Sequence, residues 1–279
     1  GIIYHKTNQS LEIGKTVQGT IDWEERFSKM QQHSGEHIVS GIVHAVYGYD
    51  NVGFHMGKDA ITMDFNGSIS KEELKVIERK ANEAVVKNLD IKVLYPAKEE
   101  LEAVAYRSKI EIEGQVRIVE IPGYDVCACC APHVKKTGEI ALIKLLNVQN
   151  YKGGVRISML CGFRALQDYE QKAESVKNIS VLLSAPEEEV FSEVTRLKQV
   201  ISSGKAKVSQ LQQKLLVYKM EQISQSQKVV VWFEEELEGN APRELTNLII
   251  ENGALIGAVF AGDEKDGYRY VIGSKSCDT

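Results

Sequence analysis

Along the first third of the chain the spacing of hydrophobic positions changes several times, and each change predicts an element. Residues 10–22 alternate weakly around Gly14 and Gly19, which reads as strand material ending at Asp22-Trp23. From Ser28 to Tyr47 the spacing becomes helical: Ile38, Ile42 and Val46 recur at i+4, Ser28 is the expected N-cap and Gly48 the stop. Two short strands follow, 52–55 and 60–65, joined through Gly57-Lys58-Asp59. Ser70-Lys71-Glu72-Glu73 has the form of a capping box, and Leu74, Ile77, Ala81, Ala84 and Val85 form the apolar stripe of a second helix ending near Leu89. Strands are predicted at 91–95, 115–121, 139–148 and 154–160, the last two around Gly153-Gly154.

After Gly162 strand signals vanish and helical spacing runs to about Gln222. One helix is expected to about Asn178 and a longer one from Pro186, a residue suited to a helix start. Val190, Val194, Leu197, Ile201, Val208, Leu211, Leu215 and Tyr218 keep alternating three- and four-residue steps if Gly204 takes one seam position, which is a heptad register. The last block has a buried-strand run at 229–233, a helix from Pro242 to about Glu251, and strands at 255–261 and 268–273 around a turn at 262–267. The fold class is therefore α+β: an antiparallel sheet with packed helices, a helical hairpin or coiled-coil linker, and a small α/β domain. The expected boundaries are 1–22, 23–162, 163–226 and 227–279. Gly1-Ile2-Ile3 reads as the middle of a strand and Ser276-Cys277-Asp278-Thr279 carries no cap, so truncation at the ends is expected.

With 279 residues, 43% of them hydrophobic, the chain is long enough for more than one core. It contains no run of ~18 apolar residues, the length a membrane-spanning helix needs, and its start lacks the charged-then-apolar order of a signal peptide. The cytosol is the expected compartment. The net charge of −5 comes from the C-terminal block, where 227–279 carry 5 Lys+Arg against 10 Asp+Glu. Bulk charge thus says nothing about a nucleic-acid partner, which would need local basic patches.

Three of the five cysteines crowd into Cys127-Ala128-Cys129-Cys130, a grouping typical of metal ligation rather than of a secreted disulfide framework. His33 and His37, at i and i+4 on the first helix, direct two imidazoles off one face. Cys129 and His133 repeat that spacing about a hundred residues later. Three nitrogens and a sulfur suit Zn2+ better than magnesium or calcium. The choice of thiolate is open at this point: Cys127-x2-Cys130 is a rival ligand pair, although it leaves the histidines of the first helix unexplained.

These residues also carry a family resemblance. His33-Ser34-Gly35-Glu36-His37 resembles the His-x3-His element of the alanyl-tRNA editing proteins and of the editing domain of alanyl-tRNA synthetase. Cys129-Cys130-Ala131-Pro132-His133-Val134, followed by Thr137-Gly138-Glu139-Ile140, resembles their Cys-Gly-Gly-Thr-His-Val and Thr-Gly-Glu-Ile. Val52-Gly53-Phe54-His55-Met56-Gly57 and Gly154-Val155-Arg156-Ile157 match further stretches, and the helices with the last fifty residues resemble the linker and first part of the family's DHH-associated C-terminal domain. The chain departs from the pattern where two glycines and a threonine are replaced by Cys130, Ala131 and Pro132, which stiffens the loop and removes a hydroxyl.

The resemblance implies a trans-acting aminoacyl-tRNA deacylase, working without ATP, that hydrolyses the ester of serine or glycine wrongly attached to tRNA(Ala). His33, His37, Cys129 and His133 would hold zinc. Ser34 stands at a family hydroxyl position associated with recognising the serine side chain. Gln32 and Glu36 flank the histidines as candidate acid/base or supporting groups, a solvated helix face being the plainer reading of Glu36. His55 is a candidate pocket residue, and Lys135, Lys136, Lys152 and Arg156 are candidate contacts to the tRNA backbone. Two other classes fit the same sequence: a non-catalytic, zinc-stabilised RNA-binding module, and a helical fragment that forms a homodimer through its heptad seam or C-terminal region.

Overall fold

A computed structural model describes residues 4–101, 105–108, 114–221 and 227–275. They fall into two compact units, Gly1–Ser175 and Val176–Thr279, divided within one helix. The expectations for residues 1–3, 222–226 and 276–279 lie outside the described residues.

The first unit runs α1 (Trp23–Tyr47), β1 (Asn51–Met56), β2 (Ile61–Phe65), α2 (Lys71–Lys87), β3 (Lys92–Leu94), the single turn α3 (Lys98–Leu101), β4 (Ile118–Ile121), β5 (Asp125–Ala128), a 3-10 turn at Thr137–Ile140, β6 (Ile143–Tyr151) and β7 (Gly154–Cys161), then enters α4 (Gly162–Leu183). One antiparallel sheet has the order β1-β2-β7-β6, a second the order β3-β4-β5. Alternate residues of the larger sheet, Ile61, Met63 and Phe65 on β2 with Ile157 and Met159 on β7, pack into one core with Ile38, Val39 and Val43 of α1 and Ile77, Ala81 and Ala84 of α2. The capping box predicted for α2 is formed: Ser70 Oγ accepts from Glu73 N, and Glu73 reaches back to Ser70 N.

Several expectations change here. Residues 10–22 form no strand; they are exposed and unpaired, and a lone segment with no ladder partner gains nothing from extending. Helix α1 starts six residues earlier than predicted, because Asp22 and not Ser28 is the N-cap, its carboxylate accepting from Glu25 N at 3.1 Å. The first part of the predicted strand 139–148 is instead the 3-10 turn, and strand β5 was not predicted.

The second unit contains the end of α4, a 3-10 turn at Glu187–Glu189, α5 (Val190–Met220), β8 (Val229–Glu234), α6 (Ala241–Glu251), β9 (Ile256–Asp263) and β10 (Gly267–Ser274). Its sheet has the order β10-β9-β8, with β8 parallel and β10 antiparallel to β9, as the β-α-β-β reading expects. Leu245 and Ile249 of α6, Val259 of β9 and the partly buried Trp232 form its core. Leu216 and Met220 dock the end of α5 onto that core. They lie beside the heptad seam, not on it. The seam residues Val194, Ile201, Val208, Leu211 and Leu215 are exposed. No helix among the described residues is long and apolar enough to cross a membrane.

Candidate metal centre

Every residue of α1 from Gln31 to Val43 is buried, although the stretch holds seven polar side chains. Burial on that scale requires each polar group to find a partner, and the partners define the site. Gln32 fastens α1 to β7: its amide donates to Cys161 O at 2.7 Å and accepts from Cys161 N at 2.8 Å. Ser34 Oγ accepts from Val134 N at 3.1 Å and so ties α1 to the loop after β5. Glu36 is 2% exposed, which removes the solvated-face reading; its Oε1 accepts from Ser40 Oγ and Asn51 Nδ2, and its Oε2 lies 3.9 Å from His37 Nε2.

His33, His37, Cys129 and His133 come together, with one potential ligand atom of each within 4.8 Å of the others. The His133 ring lies 4.4 Å from that of His33 and 4.7 Å from that of His37, and Cys129 Sγ is 3.5 Å from His33 Nε2. A tetrahedral ion with bonds of 2.0–2.3 Å needs ligand atoms roughly 3.4–3.8 Å apart, so small adjustments would close the shell. The chemistry of the donor set fits such an ion. Both ring nitrogens of His133 are buried and, among the described residues, have no hydrogen-bond partner. An ion would satisfy one of them.

Two imidazoles are held from behind. His37 Nδ1 donates to Asp125 Oδ2 at 2.8 Å, which turns Nε2 toward the cluster. His33 Nδ1 faces Pro132 O at 3.4 Å, and Phe54 stacks on the His33 ring. Asp125 is in turn gripped by Arg107 through both carboxylate oxygens, at 2.8 and 2.9 Å. The ligand loop has its own clamp, as Arg117 Nη1 donates to Cys129 O at 2.5 Å and Ala131 O at 3.1 Å.

The field at the cluster favours a thiolate. Burial alone would push the Cys129 thiol up, but the neighbouring imidazoles of His133, His33 and His37 outweigh it and bring the thiol down to about 3. Burial holds His133 neutral, down to about 4. For His37 burial also works against protonation, but the bond to Asp125 outweighs it and its pKa is raised. Among the other thiols, Cys127 is buried beside His37 and Asp125, while Cys130 is exposed. The geometry therefore groups Cys129 with the three histidines.

The remaining candidates are placed elsewhere. Side chains alternate along β1, so Phe54 faces His33 and His55 points to the opposite, exposed side. Lys135, Lys136 and Lys152 are exposed, with Lys136 Nζ 2.8 Å from Asp90. Arg156 lies across the Tyr151 ring and is held by Asp64 through two bonds of 2.6 and 2.7 Å, so its charge is already matched. Asp125, Arg107, Arg117 and Phe54 are the contributors that the sequence did not single out. The one legible signal for them was the run of polar residues inside α1, which demands polar partners from elsewhere in the chain.

A family profile described as "Threonyl and Alanyl tRNA synthetase second additional domain" matches residues 116–158, the stretch from β4 through the ligand loop into β7. This chain is similar to the alanyl-tRNA editing proteins. It is 25% identical to the alanyl-tRNA editing protein AlaX-L of Pyrococcus horikoshii, over 78% of this chain and 56% of that protein. It is 26% identical to the editing protein Aarsd1 of Danio rerio, over 71% of this chain and 49% of that protein. The alanine–tRNA ligase of Pyrococcus furiosus matches 98% of this chain at 28% identity, within 31% of its own length. The chain thus spans about half the length of the editing proteins and about a third of the ligase.

Proposed function

We propose that the chain hydrolyses the ester linking serine or glycine to tRNA(Ala), as a zinc-dependent aminoacyl-tRNA deacylase of the cytoplasm. The observation that carries this reading is the largely buried cluster of His33, His37, Cys129 and His133, with both His133 ring nitrogens lacking a hydrogen-bond partner among the described residues. Bound there, zinc would supply a Lewis acid for an ester carbonyl or for a water. The chain's own groups do the rest. Asp125 holds His37 in one tautomer, Glu36 Oε2 stands beside His37 as an acceptor for a proton, and Ser34 secures the ligand loop to α1. Lys135, Lys136 and Lys152, exposed on the first unit, are proposed to meet tRNA phosphates. In this reading residues 23–162 are the editing domain, 163–226 the linker and 227–279 part of a DHH-associated domain.

Seryl-tRNA(Ala) incubated with the full chain is expected to be deacylated, and His37→Ala to lose at least about a hundredfold in rate through loss of a ligand. Equal rates for the two proteins would overturn the reading. One observation favours a second reading: four protein ligands close a tetrahedral shell, the usual form of a structural zinc site. A chain that binds zinc and tRNA but leaves the ester intact would be that non-catalytic module. The exposed α5 seam supports a homodimer as the assembly, and a monomer by light scattering at high concentration would remove it.

A further inference from the structure

We infer that Arg107 is a positioning residue for metal binding, acting on His37 through Asp125. The inference rests on the proposed metal site and extends it to residues 105–108, a segment with no role legible from spacing or motif. Arg107 Nε donates to Asp125 Oδ1 at 2.8 Å and Nη2 to Oδ2 at 2.9 Å, the two-pronged geometry that fixes a carboxylate plane. The carboxylate so fixed is 1% exposed, and its Oδ2 also receives His37 Nδ1 at 2.8 Å. Rotation of Asp125 would therefore break three bonds at once. With Nδ1 engaged by Asp125, Nε2 is the ring nitrogen left to face Cys129 and His133.

The backbone holds the guanidinium in register. Arg107 N donates to Val126 O at 2.8 Å and Ala128 N donates to Arg107 O at 2.9 Å, so the segment lies as a partner of β5. Asp125 at one end of β5 and the ligand Cys129 just past the other end are thus both set by the same strand. Removing Arg107 leaves the carboxylate free to turn and His37 free to flip, at no cost to the ligands themselves. The loss is in metal affinity, since an outer partner of a ligating histidine is typically worth about 10–100-fold.

The test is zinc affinity of the full chain by competition with a chromophoric chelator, with the visible spectrum of the Co2+ form as a second readout. Arg107→Ala and Asp125→Asn are each expected to bind about 10–100-fold more weakly, with an altered Co2+ spectrum. Arg107→Lys, with one prong, is expected to recover only part. Because Arg107 acts through Asp125, the double variant should bind no more weakly than Asp125→Asn alone. Additive losses would mean that Arg107 merely supports the fold, and wild-type affinity in Arg107→Ala would also overturn the inference. If Arg107→Ala fails to fold, Arg107→Gln and Arg107→Lys carry the comparison. A wild-type chain that takes up no metal would instead overturn the metal site itself, and this inference with it.

Discussion

At the scale of single residues, the site is a balance between burial and a few strong hydrogen bonds. Cys129 shows the balance most clearly: burial disfavours its charge, yet three imidazoles keep it a thiolate down to about pH 3. A depressed thiol stays charged at every pH above its folded value. In metal-free protein the alkylation rate of Cys129 by iodoacetamide is therefore expected to be flat from pH 5 to 8, because the thiolate is the reactive form and its fraction does not change. Mass spectrometry of the labelled peptide checks this, and a tenfold rise per pH unit would show an ordinary thiol. Cys161, whose pKa burial raises, is expected to stay unlabelled over the same range.

At the scale of elements, the site depends on how closely α1 approaches the β4–β5 turn. A Cβ at Gly41 would run into Tyr124 O and lie 2.9 Å from Asp125 Cβ. Alanine gains about 1 kcal/mol of helix propensity over glycine, but overpacking against a fixed backbone costs about 1–3 kcal/mol. The clash wins, so Gly41→Ala is expected to lower the thermal midpoint of the metal-free protein and to weaken zinc binding by displacing Asp125. An unchanged or raised midpoint would contradict this. The same elements explain what the sequence could and could not reveal. The i,i+4 pairs are local, so His33 with His37 and Cys129 with His133 are readable by spacing alone. Asp125 and Arg107 are joined to His37 only by the fold, across 88 residues in the case of Asp125. The start of α1 was hidden because Trp23-Glu24-Glu25-Arg26 is a solvent-exposed first turn with no apolar stripe to mark it. β5 was hidden because its two buried positions are Asp125 and Cys127, so its four residues show no alternation of β-branched and polar side chains.

At the scale of the whole molecule, the described residues form two units, each with its own core, and every proposed metal ligand belongs to the first unit. A ligand that binds only the folded form stabilises what it binds, by about 2.7 kcal/mol at a hundredfold excess over Kd. Calorimetry with added zinc or chelator is thus expected to move the unfolding of the first unit and to leave that of the second in place. A shift of both together would mean that the units unfold as one. The chain's two tryptophans make this separable by light as well as by heat. Trp23, 62% exposed at the start of α1, belongs to the unit with the metal ligands, and Trp232 belongs to the core of the other. With Trp23→Phe or Trp232→Phe in place, the emission of the remaining indole reports on one unit alone, so a fluorimeter can assign any effect of zinc to the unit that feels it.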